Sequence, residues 1–166
     1  LNCFAEAEEA ILNLTVMPSM RALMTAGPAL ERDHQAGYNC AYLPIQSISD
    51  FCELFYNLMC GCGIGFSVES KYVYKLPEIP ETLRETDTLI SFADSKGGWV
   101  TGFKHLLSLL WAGNVPRWDI SKVREAGTRL NTFGGRASGP KPLEDLCRYT
   151  VALFQSRVGK RLRPID

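Results

Sequence analysis

Cys40 is the residue in this chain best placed to do chemistry. It sits in the short run Gly37-Tyr38-Asn39-Cys40-Ala41-Tyr42. A thiol in a short, apolar, strand-like stretch can do redox work, and its pKa and accessibility decide how readily it reacts. Two glycine-rich segments follow. The first is Met59-Cys60-Gly61-Cys62-Gly63-Ile64-Gly65-Phe66-Ser67-Val68, and the second is Thr132-Phe133-Gly134-Gly135-Arg136-Ala137-Ser138-Gly139-Pro140. Glycine lets a ligand approach backbone N–H groups closely. Arg136 can grip a phosphate bidentately or lie on a base. These segments are expected to converge on one nucleotide site with Cys40 as its redox thiol.

The other titratable groups invite less. Cysteines stand at 3, 40, 52, 60, 62 and 147. Cys60-Gly61-Cys62 has one intervening residue, which is not zinc-knuckle spacing, and no second Cys or His pair follows, so no metal site is expected. A chain this rich in core residues needs no disulfide framework, and reduced cysteines in a cytoplasmic protein are the expectation. His34 reads as a solvated loop residue. His105 reads as a partly buried structural histidine.

The elements that must position these groups follow from periodicity. Phe4, Ala7, Ile11 and Leu14 mark an amphipathic N-terminal helix ending before Pro18. Tyr38 to Ile45 reads as a buried strand. Ser47 with Asp50 starts a helix whose apolar face is Phe51, Leu54, Phe55, Leu58 and Met59. Ile64 to Val68 reads as a second strand. Because glycines precede that strand and follow a helix, the order is wrong for a dinucleotide fingerprint. Lys75 to Thr86, with Pro77 and Pro80, reads as an exposed connection. Thr88 to Ala93 reads as a strand, and Asp94 or Ser95 caps the helix that carries Trp99, Phe103, Leu106, Leu107 and Leu110. That helix ends at Gly113-Asn114-Val115-Pro116. Trp118 to Ser121 is a short extended piece, and Arg129 to Phe133 a further strand candidate. Leu143 to Phe154 is the last helix, with Arg157 to Arg163 as its basic end. The alternation predicts an α/β fold with a largely parallel sheet. Function then collects at the carboxyl ends of strands, near Ser67, Asp94 and Phe133.

Bulk properties narrow the classes. The chain has 166 residues, 46% hydrophobic and 22% charged, with formal net charge zero. That supports one globular domain and argues against an electrostatic grip on nucleic acid. No run of about twenty apolar residues is present to span a membrane. The first residue is Leu rather than Met, which reads as a piece of something longer.

Taken in order, five segments resemble the adenosylcobalamin-dependent (class II) ribonucleotide reductases: Pro18-Ser19-Met20-Arg21-Ala22-Leu23-Met24-Thr25-Ala26-Gly27, Gly37-Tyr38-Asn39-Cys40, Met59 to Glu69, Asp94-Ser95-Lys96-Gly97-Gly98-Trp99, and Phe133 to Pro140. The resemblance covers nearly the whole chain. It implies the first part of a ten-stranded α/β barrel, with a helical lead-in over 1–36 and barrel strands and helices over 37–166. It also implies reduction of ribonucleotides to 2′-deoxyribonucleotides by a thiyl radical, with a cysteine pair supplying two electrons. Cys40 matches the first member of that pair. Ser19, Asn39, Ser67 and Val68 match the substrate region, joined by Gly135, Arg136 and Ser138 of the loop that relays effector identity to substrate. Ser47, Ser49, Asp50, Glu69 and Lys71 match the effector region.

The implied cofactor is adenosylcobalamin, with contacts outside this stretch. The implied partners are a ribonucleotide substrate, a deoxynucleotide or ATP effector, a thioredoxin-type reductant and the rest of the reductase chain. Cys62 stands where the family usually has another residue. The radical cysteine and the second redox cysteine belong to later parts of the family's chain. The competing reading is a non-catalytic nucleotide-binding fragment of the same fold.

Overall fold

The structure is a computed structural model and describes residues 2–130 and 135–166. In chain order the helices and strands are α1 (Asn2–Leu12), α2 (Met20–Thr25), α3 (Pro28–Arg32), β1 (Cys40–Pro44), α4 (Ile48–Met59), β2 (Gly63–Ser67), α5 (Ser70–Val73), β3 (Arg84–Ser91), α6 (Lys96–Trp111), β4 (Asn114–Asp119) and α7 (Lys141–Ser156). A 3-10 turn, His34–Gly37, leads into β1.

The sheet expectation holds in direction and fails in extent. β1 pairs with β2 and β3 with β4, both parallel, as two separate two-stranded pairs. A barrel is not evident among the described residues. Each pair is joined through a helix, α4 or α6, because a parallel connection must cross back over the sheet. α4 packs against α6, with Phe55 edge-on to Phe103 at 5.5 Å between ring centroids. Leu43 and Ile45 from the first unit share one core with Ile90, Phe92 and the α6 leucines from the second. α7 closes that core through Leu143, Cys147 and Phe154.

Local signals act as expected at several ends. The Asp50 carboxylate accepts from Ser47 N–H at 2.7 Å and Gln46 N–H at 2.9 Å, which starts α4. Ser95 Oγ accepts from Gly98 N–H at 3.0 Å at the head of α6. Gly61 turns the chain between α4 and β2 at φ +79°, a conformation that favours glycine.

Four expectations need correction. Lys75 to Thr86 is not an exposed connection: Leu76 and Ile79 are buried and β3 begins at Arg84. The chain after α7 covers them, with Ile79 N–H bonded to the Lys160 carbonyl and the Arg161 guanidinium reaching Glu78 and the carbonyls of Tyr74 and Leu76. For the same reason Arg157 to Arg163 is not a helix end, because α7 stops at Ser156 and Arg157 and Arg163 both pair with Asp166.

The extended piece near Trp118 is the strand β4, which starts earlier, at Asn114, directly after the helix turn. Pro116 hid it. The ladder tolerates this proline because β3 is irregular between Glu85 and Leu89, just where Pro116 falls. His105 is exposed rather than partly buried, since it lies off the α6 face that meets the core. The strand proposed for Arg129 to Phe133 lies mostly outside the described residues, although Arg129 bridges Arg136 in antiparallel fashion.

α1 forms as its periodicity predicts, yet Phe4 (77% exposed), Ile11 and Leu12 are not buried against the rest of the chain.

Candidate functional site

β1 opens on Cys40, whose side chain is exposed. Its position is fixed from three sides. Cys40 stands opposite Gly63 in the β1–β2 ladder. Gly63 N–H donates to the Asn39 carbonyl at 2.9 Å. The Cys62 thiol donates to the Tyr38 carbonyl at 3.0 Å. A glycine opposite Cys40 leaves that face of the ladder without a side chain. Cys62 is therefore a buried strut under the strand that carries Cys40.

The other central thiols, Cys52, Cys60, Cys62 and Cys147, are buried and poorer reagents. Burial pushes Cys147 up to about 12, and burial also raises Cys52 and Cys60. Cys3, on α1, is exposed like Cys40.

The proposed site residues divide by place. Ser19 is the N-cap of α2 and accepts from Ala22 N–H at 3.1 Å. Asn39 adjoins Cys40. Ser67 pairs with Pro44, so it lies at the other end of the ladder from Cys40, about 13 Å away at about 3.3 Å rise per residue. It is buried and donates to Glu69 Oε1 at 3.1 Å, with half-buried Val68 between them. Glu69 pairs with Lys71 at 3.0 Å on the surface. Ser47 and Asp50 are engaged in capping α4, and Ser49 is exposed beside them. The β1–β2 pair thus brings Cys40 and Asn39 to one end and Ser67, Val68, Glu69 and Lys71 to the other.

Gly135, Arg136 and Ser138 hang from the other pair, in the connection from β4 to α7. Phe133 and Gly134 lie outside the described residues. The base of this loop is a short antiparallel stem: Gly127 N–H donates to the Ala137 carbonyl at 2.9 Å, and Ala137 N–H to the Thr128 carbonyl at 2.8 Å. Arg136 is exposed, and its guanidinium donates to the Gly127 carbonyl at 2.9 Å. Gly139 is required here: at φ +79° a Cβ would also stand 2.9 Å from Ala126 N. Asp94, just beyond β3, anchors the connection by accepting from Arg124 Nε at 2.8 and 3.0 Å. Asp94 and the loop base therefore do share the carboxyl rim of β3 and β4.

A second titratable cluster escaped sequence reasoning. Asp33 Oδ2 accepts from Tyr56 OH at 3.0 Å and from the Cys60 thiol at 3.4 Å, and it pairs with Lys96. Lys96 Nζ also donates to Cys60 Sγ at 3.2 Å. Burial works to raise the Asp33 carboxyl, but the hydrogen bonds from Lys96, Tyr56 and Cys60 outweigh it and hold it low. Burial likewise opposes the Lys96 charge, and its contacts with Asp33 and Cys60 more than restore it. The four residues come from three far-apart places in the chain, and Asp33 sits in a charged stretch beside His34, which reads as solvated. The Asp94 to Trp99 motif points at Lys96 and the Met59 to Glu69 motif at Cys60, but nothing in either points at Asp33 or Tyr56.

Comparison with known proteins places this geometry. The family model for the "B12-dependent ribonucleotide reductase, insertion domain" matches residues 69–151, half of the chain. The chain belongs to the B12-dependent ribonucleotide reductase family. The adenosylcobalamin-dependent ribonucleoside-triphosphate reductase of Euglena gracilis is 29% identical over the whole chain, which spans 25% of that relative. The one from Lacticaseibacillus paracasei is 28% identical over 68% of the chain and 20% of its own length. A crystal structure of a B12-dependent (class II) ribonucleotide reductase superposes with a TM-score of 0.83 at 22% identity, covering 95% of this chain and 30% of that one. The two parallel pairs and their helices are thus a reductase fold element. The chain spans about a quarter of the length of the curated relatives it matches.

No described helix is long and apolar enough to cross a membrane. Among the described residues no group of three or more His, Cys, Asp or Glu is placed to hold a metal ion.

Proposed function

We propose that this chain is the part of a ribonucleotide reductase that presents one of the two reducing cysteines, Cys40, to a ribonucleotide. The observation that carries the reading is the exposed Cys40 thiol at the head of β1, opposite Gly63, in a chain whose other central thiols are buried. Two thiols lose two electrons and two protons as their S–H bonds give way to one S–S bond. The ribose loses its 2′-hydroxyl as water and gains hydrogen at that carbon. A thioredoxin-type reductant then restores the dithiol. A thiyl radical elsewhere in the protein starts the reaction, and the second reducing cysteine also lies elsewhere.

In this reading the two parallel pairs are the first strands of a ten-stranded α/β barrel. A two-stranded parallel pair is rarely left alone, because parallel sheets bury both faces. Ser19 and Asn39 face the substrate. The loop through Gly135, Arg136 and Ser138 relays effector identity, with Arg136 meeting a base or phosphate. Ser67 and Val68, at the other end of the β1–β2 ladder, belong to the substrate region with Ser19 and Asn39, and Glu69, Lys71 and the exposed Ser49 belong to the effector side. Ser47 and Asp50 serve that side by fixing the start of α4.

Adenosylcobalamin would supply the initiating radical. The described residues do not fit it. Two of the grooves they form are open, one lined by Glu85, Asp87, Arg117 and Arg148 and the other by the β3 edge and the glycines of α6, and neither is the enclosed, mainly apolar pocket a large cofactor occupies. Its contacts fall to other residues of the protein.

The test is Cys40→Ser in the complete protein. Turnover with a thioredoxin-type reductant should be lost while nucleotide binding persists. Undiminished thioredoxin-dependent turnover would overturn the reading.

A further inference from the structure

The half-buried cluster around Cys60 has a geometry that structural packing does not require. Lys96 Nζ lies 3.2 Å from Cys60 Sγ, in contact with sulfur. The Asp33 carboxylate touches both, pairing with the ammonium and accepting from the thiol at 3.4 Å. Tyr56 OH holds the same carboxylate oxygen at 3.0 Å, and its ring lies beneath Nζ at 5.4 Å from the centroid. Nucleophilic nitrogen, oxidisable sulfur and a carboxylate are thus assembled within bonding reach. The Cys60 residue is 3% exposed, but the Lys96 side chain is 28% exposed and gives a small oxidant a path inward.

We propose that Cys60 and Lys96 form an oxidation-closed covalent pair, an S–N cross-link made with peroxide as the oxidant. Peroxide first converts the thiol to a sulfenic acid: the O–O bond breaks, an S–OH bond forms and one water leaves. The Lys96 ammonium loses a proton to water through its exposed side, while Asp33 keeps the nitrogen beside sulfur. The amine attacks sulfur, the S–O bond breaks, the S–N bond forms and a second water leaves. The sum is Cys–SH plus Lys–NH3+ plus H2O2 giving Cys–S–NH–Lys plus two H2O plus one H+. Sulfur gives up two electrons and peroxide accepts them. A thiol reductant reverses the bond.

The consequence is mechanical. Cys60 caps α4 and Lys96 begins α6. The bond would tie the β1–β2 unit to the β3–β4 unit at the helix ends that lead to β2 and follow β3. In its protonated, buried state the thiol is a slow nucleophile, so the resting form is open and closure marks oxidative load. This inference is independent of the role proposed for Cys40.

The complete protein is treated with hydrogen peroxide, alkylated without reduction, digested and mapped by mass spectrometry. The expected result is a cross-linked species joining the peptide that holds Cys60 to the one that holds Lys96, lighter by two hydrogens than their sum. It should disappear on treatment with dithiothreitol. Cys60→Ser and Lys96→Arg should each abolish it. The arginine variant keeps the charge beside Asp33, so its loss of cross-link cannot be put down to misfolding. Cys60 recovered instead as a sulfinic acid, as a disulfide with Cys62 or Cys40, or as an unmodified thiol would overturn the proposal.

Discussion

Cys40 lies opposite Gly63 at the first rung of a parallel ladder whose last rung pairs Pro44 with Ser67. The exposed thiol and the buried hydroxyl therefore mark opposite ends of one short strand pair. This arrangement predicts the order of thiol reactivity. In the native protein Cys3 and Cys40 should react with iodoacetamide while Cys52, Cys60, Cys62 and Cys147 stay protected until denaturant is added. Peptide mapping of labelled sites reads this directly, and native labelling of Cys147 ahead of Cys40 would contradict the packing described.

Two glycines five residues apart on α6, and so on different faces, should respond oppositely to alanine. A Cβ on Gly102 would stand 2.3 Å from the fully buried Phe92 ring, whereas one on Gly97 would meet nothing within 4 Å. Gly102→Ala should destabilise by roughly 1–2 kcal/mol, because overpacking of about 1–3 kcal/mol exceeds the helix-propensity gain. Gly97→Ala should be neutral or stabilising by up to about 1 kcal/mol. Denaturant titration distinguishes the two.

Asp33 gives a pH signature. Its carboxyl is held below its ordinary value of 3.8 by Lys96, Tyr56 and Cys60, despite burial. A carboxyl depressed on folding contributes stability that is present above its unfolded pKa and lost as pH falls through the folded value. Asp33→Asn should therefore cost stability at pH 7, and the gap to the parent should close as pH falls below about 4. Melting curves of both proteins across that range provide the check, and a gap that persists unchanged at pH 2–3, or widens, would contradict the ion pair.

The parts of the fold that were legible in the sequence are those set by local rules. The α4 cap at Ser47 and Asp50, the Ser95 cap of α6 and the apolar stripe through Phe103 and Leu110 are readable from neighbours three or four residues apart. The family resemblance was legible because five ordered segments carry it. What could not be read depends on distant partners. Leu76 and Ile79 look stranded among prolines until Lys160 and Arg161 cover them. β4 carries a proline that only the β3 irregularity excuses. Asp33 finds Lys96 across 63 residues, with no spacing rule to announce it. The division of one expected sheet into two pairs has the same origin, since strand partners are chosen by tertiary packing.

The Asp94–Arg124 pair should matter locally more than globally. Both side chains are more than a third exposed on average, so screening limits their effect on overall stability to under about 1 kcal/mol. Arg124→Ala should still loosen the base of the loop that carries Arg136. Hydrogen exchange at Gly127 and Ala137 N–H should speed up while exchange in the middle of α6 stays unchanged.

The most direct test of the central claim is a single turnover of the complete protein with ribonucleotide and cofactor but no external reductant. Cysteines are then alkylated and the disulfides mapped. The account predicts Cys40 in a disulfide, in proportion to the deoxyribonucleotide formed. Product formed with Cys40 still recovered as a free thiol would contradict it.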